Sequence, residues 1–481
     1  MGLFLKKICF GLIGFLLVFL PNLWTLSNGG NLFALTIEEE RKIGDQVVRE
    51  VERRYPLIRD PLILEYLNKF GLEILKQAGP QPYPFRFYLL KDPQLNAFSV
   101  PGGHVFLTTG IVEIIDSEGE LAGLLGHEIT HVTHHHISKQ MDQQKKISLA
   151  SMAAILLGVL AGVAGDPRIT SAVMSGTMAT AQTLALKYSR EDEDDADNYG
   201  FKYMSKAGFD PKYMIDMFDK LRRWGSFGSE AIPAYMQTHP LTGDRISHVE
   251  DLLHQYADQG PWDRKSSDEF RRFQAIILTK YGNIQRARNR FQAWAKDTQS
   301  LLWLYYGQGW LFIREGKFDS AVTQFEKALE IKPHEPYLLR DLGQALFLKG
   351  DMEQAIQKLG QASVLDPKDG GTAFFLARAY QEKGADQLAL ENFQRALKLG
   401  TSEEDLFHYL GMVYGKLNDL GQAHYYFGQS FKMKGDRGKA LFHFQTALRY
   451  VDNDPNQKDL IEKEIKSIAP EKIREKKPDR K

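Results

Sequence analysis

At 481 residues the chain is long enough for two or more domains. A quarter of it is charged and 43% is hydrophobic, an ordinary globular balance that excludes a disordered chain. Lys+Arg and Asp+Glu both number 61, so there is no basic excess of the kind that draws a protein to nucleic acid.

The first 34 residues read as a secretory signal peptide. Lys6 and Lys7 precede an uncharged apolar run of 13 residues, Ile8 to Leu20, which is short for a membrane span and is ended by Pro21. Cleavage is expected after Gly29 or Ala34; retention of the run as an anchor is the competing reading. Cys9, the single cysteine, lies inside the run without the small residues of a lipoprotein cleavage box. The exported chain would therefore carry no disulfide.

Further along, Pro101-Gly102-Gly103 is a turn signal, and His104 to Thr109 has strand character. Next comes His127-Glu128-Ile129-Thr130-His131, in a stretch with apolar residues at helical spacing and no proline. Positions i and i+4 share a helix face, so His127 and His131 can aim at one point, as two ligands of a zinc ion must. Glu128 lies beside them, where a carboxylate can take the proton of a metal-bound water. A third ligand at the metzincin position is excluded, because residue 137 is Ile. His134, His135 and His136 are read as surface or packing histidines, with at most one of them on the zinc face of a continuous helix.

Two uncharged stretches follow, 19 residues from Ile147 to Gly165 and 18 from Ile169 to Leu186. Either both cross a membrane as a hairpin or neither does, since one crossing would split the site. The second is rich in Ser, Thr, Ala and Gln, which favours a helical hairpin that packs over the cleft or touches a membrane surface. An acidic cluster then runs from Ser189 to Gly200. Glu193 and Asp197 are four apart on one helix face. Glu193 can complete a zinc site, and Asp197 can accept from the far nitrogen of a zinc-bound histidine. His239 and Arg245 come from a loop beyond these helices. His239 either hydrogen-bonds the tetrahedral intermediate or fills the fourth zinc position at rest.

Four motifs together resemble the HtpX-like and CAAX-prenyl-protease family of zinc metallopeptidases: Asn96 to Val105, the HEITH run, Ser189 to Asp197, and Thr238-His239-Pro240 through Ile246. The match spans roughly residues 36–255, with one departure, Asp195, where the family usually has Glu. The resemblance implies that His127, His131 and Glu193 hold one Zn2+ and that Glu128 is the catalytic carboxylate; His239 and Arg245 are further candidates for the catalytic site. It also implies that the strand through Gly102, Gly103, His104 and Val105 is an edge along the cleft. Such an edge can bind an extended substrate by strand addition.

From residue 268 the chain repeats every 34 residues. Alanines recur at 287, 321, 355, 389 and 423, and Phe291, Phe325, Leu359, Phe393 and Phe427 follow four positions later. Gly282, Gly316, Gly350 and Gly384, with Asn418 in the fifth copy, stand where each helix pair must turn. This is the tetratricopeptide pattern, a solenoid with a concave binding face.

The expected architecture is an α+β zinc metallopeptidase domain, gluzincin-like helices with a small sheet, followed by an all-α TPR solenoid. Its divisions are a signal peptide (1–34), the peptidase (35–262), the repeats (263–453) and a polar tail or cap (454–481). The order of signal, peptidase and repeats narrows the resemblance to the periplasmic beta-barrel assembly-enhancing proteases. That implies unfolded or stalled protein substrates and contact with outer-membrane assembly machinery through the repeats. Two rival readings are an assembly factor or chaperone with a latent site, and a membrane-anchored protease.

Overall fold

A computed structural model describes residues 35–142, 188–226, 233–256, 259–296, 300–401, 405–451 and 454–468. The expected signal peptide, the apolar pair 147–186 and the end of the tail lie outside the described residues. Among the described residues, no helix is long and apolar enough to cross a membrane.

Helix α1 (Ile37–Arg54) opens with a capping box between Thr36 and Glu39, and α2 (Pro61–Leu75) with an Asp60 cap and a proline in its first turn. Three strands follow: β1 (Arg86–Leu90), β2 (Ala97–Val100) and β3 (His104–Thr108), in the order β1-β3-β2. β3 runs parallel to β1, with Val105 opposite Phe87, and antiparallel to β2, with Val105 opposite Ser99.

The strand that starts at His104 is therefore central, which corrects the expectation of an edge. Its backbone hydrogen bonds are taken on both sides, and all five of its residues are buried. No row of free N–H and C=O groups remains there for a substrate to join. Gly102 and Gly103 serve the turn before it, with φ of +85° and +89°. A Cβ on Gly103 would stand 2.5 Å from the Pro84 carbonyl oxygen. Among the described residues β2 and β1 are the two edges of the sheet, and the outer side of β1 carries a bridge between Leu57 and Leu90.

Beyond the short α3 (Thr109–Ile114), Ser117 caps α4 (Glu118–Thr133), in which every residue but the last is buried. A helix enclosed on all sides is the spine of a core. The chain breaks at His134, passes through His135 at φ +56°, and re-enters helix as α5 (His136–Asp142). Ser189 and Asp192 form the capping box of α6 (Arg190–Lys206), which sets Glu193 in its first turn. Helices α7 (Lys212–Ser226), α8 (Ala234–Thr238) and α9 (Gly243–Gln255) complete this half.

Stacked helix pairs then run from Asp268 to Ile468. Gly316, Gly350, Gly384 and Asn418 take positive φ at the turns, as the 34-residue pattern requires. Gly282 does not; at φ −82° it is instead pressed against the peptidase half, where a Cβ would stand 3.0 Å from Glu113 Oε1. The final described helix, Pro455–Ile468, buries only Ile461, which packs with Ala440, Phe444, Ala447 and Val451. One apolar face with a polar exterior is what a terminal cap needs.

The two halves share one hydrophobic core, which runs from Ile58 through Phe273 and Phe325 to Leu376. Tyr66 packs on Phe273 at 4.6 Å between ring centres. Glu118, at the start of α4, accepts from the Tyr66 hydroxyl at 2.8 Å and from the Ser267 backbone N–H at 2.8 Å. Arg286 pairs with buried Glu113 at 3.0 Å, and Arg290 pairs with Asp116.

Candidate metal centre

α4 and α6 cross at two glycines. A Cβ on Gly126 would stand 3.0 Å from the Gly200 carbonyl oxygen, so the two backbones touch. That contact brings Glu193 of α6 to the histidine face of α4. His127 Nε2 and His131 Nε2 are 3.0 Å apart. Glu193 Oε2 lies 3.7 Å from the first, and Glu193 Oε1 lies 3.6 Å from the second. His239, from the turn after α8, enters the same group, with Nδ1 at 3.3 Å from His127 Nε2 and 2.8 Å from Glu193 Oε1. All four residues are buried.

The hydrogen bonds around this group show which atoms face inward bare. His127 Nδ1 is 2.9 Å from Asp197 Oδ1. Asp197 also accepts from Arg245 Nε and Nη2, both at 2.7 Å. Burial would raise the Asp197 carboxyl, but the Arg245 guanidinium outweighs it and holds the group below its ordinary range. Asp197 is thus an acceptor only, and His127 Nδ1 carries the proton. In the tautomer that leaves Nε2 free for a metal, its lone pair points at His131. Burial, with His127 and His239 beside it, drives His131 well below the usual histidine pKa, toward the neutral form. Converging lone pairs and a carboxylate repel unless a cation lies among them. Their spacings scatter around the ~3.3 Å edge of a tetrahedron with bonds of about 2.0–2.1 Å. The donor set fits a divalent metal.

Glu128 is fully buried, and among the described residues neither of its carboxylate oxygens has a hydrogen-bond partner. His239 Nε2 is 3.5 Å from Glu128 Oε1. Burial works to lower the His239 pKa, but Glu193 and Glu128 prevail and raise it. A carboxylate left without partners beside the converging ligands is placed to receive a proton rather than to support the fold.

Arg245 lies behind the ligands. Besides Asp197 it pairs with Glu193 and donates to the Pro240 carbonyl at 3.2 Å, so it ties α6 to the His239 turn. The structure also brings in residues that the sequence did not single out. Tyr188 stacks on His131 at 3.6 Å, and Tyr235 stacks on His239 at 4.6 Å. Neither has a motif that would flag it. His136 reaches His131, with the two Nδ1 atoms 2.9 Å apart, because the helix break at His135 turns it inward. Gly102, Gly103, His104 and Val105 stay in the sheet and its turn. His104 Nδ1 meets the Tyr88 hydroxyl at 3.1 Å.

The family model described as Peptidase family M48 matches residues 62–253, and one described as tetratricopeptide repeat matches 306–371. The beta-barrel assembly-enhancing protease of Yersinia pestis is 30% identical over 369 residues, 75% of this chain and 74% of that protein. The chain belongs to peptidase family M48. Its M48 half is metal-dependent, and the buried His127, His131, Glu193 and His239 are the group that can bind the metal. The beta-barrel assembly-enhancing protease of Escherichia coli is 27% identical over 425 residues, 87% of this chain and 85% of that one. Metalloprotease LoiP of Escherichia coli is 22% identical over 234 residues, 47% of this chain and 87% of that one. The chain is thus an M48 metallopeptidase joined to tetratricopeptide repeats.

Proposed function

We propose that the chain is an exported zinc metalloendopeptidase, closed at rest, whose repeats hold large protein substrates or assembly machinery near the site. The observation that carries this reading is the convergence of His127, His131 and Glu193 beside the unpartnered Glu128. The three would hold one Zn2+. When bound, the ion supplies Lewis acidity, polarising the scissile carbonyl and acidifying the attacking water. Glu128 takes the proton of that water and passes it to the leaving amine. Asp197 fixes the tautomer of His127, and Arg245 locks Asp197 and Glu193 in register.

At rest His239 would take the fourth place about the metal. This is supported by its 3.3 Å approach to His127 and by the complete burial of Glu128. The latent-site reading and the protease reading are then two states of one molecule. An extended substrate adds to the outer edge of β2, the edge strand that packs on α4. Residues 1–34 direct export, 35–262 carry the chemistry and the repeats from 263 carry recruitment, with 454–481 as the polar end. Similarity to proteins named for beta-barrel assembly supports unfolded or stalled outer-membrane β-barrel proteins as substrates.

The test is degradation of an unfolded outer-membrane β-barrel protein by purified full chain, beside metal analysis. One zinc per chain, loss of cleavage with a chelator and recovery with zinc are expected. Cleavage indifferent to the chelator refutes the mechanism. His239→Ala should keep its zinc and cleave several-fold faster. A slower variant would assign His239 to the reaction instead of the resting state.

A further inference from the structure

His127 has Asp197 behind it, and a second arrangement of the same kind stands behind His131. His131 Nδ1 lies 2.9 Å from His136 Nδ1, and His136 Nε2 lies 3.1 Å from Asp195 Oδ2. His136 is 2% exposed, so no water competes for its ring nitrogens. Asp195 Oδ2 also pairs with His134 Nδ1, and His134 is packed edge-on against Tyr199 at 4.3 Å. We propose that His136 and Asp195 are positioning residues for the metal centre, a two-step hydrogen-bonded relay that orients His131. The proposal rests on the zinc reading of His127, His131 and Glu193.

The protons have one consistent arrangement. A histidine that binds metal through Nε2 keeps its proton on Nδ1, so His131 donates to His136 Nδ1. His136 then carries its own proton on Nε2 and donates to the Asp195 carboxylate. The relay thus ends on an anion, as the His127–Asp197 pair does, and both histidine ligands are held by charge through their far nitrogens.

The same geometry weighs against a second ion, although His134, His136 and Asp195 are close enough to hold one. A metal on His136 Nε2 would force its proton to Nδ1. Two N–H groups would then face each other at the 2.9 Å contact with His131. An ion in this trio and an ion at the first site therefore oppose one another.

The relay depends on the backbone. His135 takes φ +56°, a conformation a non-glycine residue rarely adopts, and this swings His136 round onto His131. His135 is kept there by Glu40, whose Oε1 lies 2.7 Å from His135 Nδ1.

The experiment uses the full chain stripped of metal and titrated with zinc against a chromogenic chelator. His136→Phe is expected to bind zinc about 10–100-fold more weakly. Asp195→Asn keeps an oxygen that can accept from His136 and should lose roughly three- to tenfold. Combined with His136→Phe, the Asp195 change should add nothing, because its route to His131 has gone. Cobalt in place of zinc reads the ligand field. Its visible bands should shift in His136→Phe and stay unchanged in Gln140→Ala, a change on the same helix that leaves His136 and Asp195 in place. Asp195 has a side chain 36% exposed, so its variant should fold and decides the matter if His136→Phe does not. Unchanged zinc affinity in both variants overturns the relay and leaves the three-ligand site standing. Two zinc ions per chain, the second lost in His134→Ala, also overturn it, by giving the trio to a metal. A wild-type chain that takes up no zinc overturns the site reading and the relay with it.

Discussion

Gly126 and Gly200 meet where α4 crosses α6, and a Cβ on Gly200 would stand 2.9 Å from the backbone nitrogen of His127. Two helices approach this closely only where side chains are absent from both. The crossing sets the separation between the histidine pair and Glu193. The metal centre therefore depends on two residues that have no chemistry of their own.

Gly200→Ala tests this relationship by the sign of its effect. Helix propensity alone would stabilise the alanine variant by up to about 1 kcal/mol. Overpacking at the crossing should reverse that and cost about 1–3 kcal/mol net, with weaker zinc binding. Denaturant unfolding and zinc content measure both. A more stable variant with full zinc would show that the helices part freely.

Glu128→Gln removes the proton acceptor while keeping size and packing. Peptide cleavage should fall by ~10²–10⁴-fold, with zinc content and circular dichroism unchanged. Turnover near wild type would reject Glu128 as the base.

Where the chain is cut should matter more than how much is removed. Ending it near residue 262 strips Phe270 and Phe273 from the shared core and leaves Glu118 without Ser267. That protein should aggregate or lose zinc. Ending it after Lys296 keeps the first helix pair, and should yield a folded protein that cleaves a short peptide normally. The longer truncation should act poorly on a large unfolded membrane protein, since tethering through the repeats is lost. Equal action on both substrates would remove the recruitment role from the later repeats.

His104 supplies a pH dependence away from the metal. Burial pushes its pKa down to about 4, against an ordinary value near 6.5. The folded state resists the proton that the unfolded chain accepts. Its contribution is therefore complete above about pH 6.5 and is lost as pH falls toward 4, about 3 kcal/mol over that window. His104→Gln should flatten the acid side of the stability profile by that order, measured on metal-free protein. An unchanged acid slope would show that His104 titrates normally.

The sequence by itself determined what depends on spacing along one helix or one repeat. His127 and His131 share a face because they are four apart, and Glu193 and Asp197 do so for the same reason. The repeats are legible because each 34-residue unit buries its alanine, and four of the five also bury the large apolar residue four positions later. Tertiary structure decided everything that depends on which segments meet. β3 is central and β2 an edge of the described sheet because strand order follows from packing, while alternation along a strand is the same in either place. His136 reaches His131 through one residue in a left-handed conformation, which a continuous-helix reading cannot contain. The peptidase and the first helix pair share a core because Tyr66, Glu113 and Glu118 find partners more than 140 positions away in the chain. No periodicity records such contacts. They arise when separate apolar faces and buried charges are satisfied together, in a single packed arrangement.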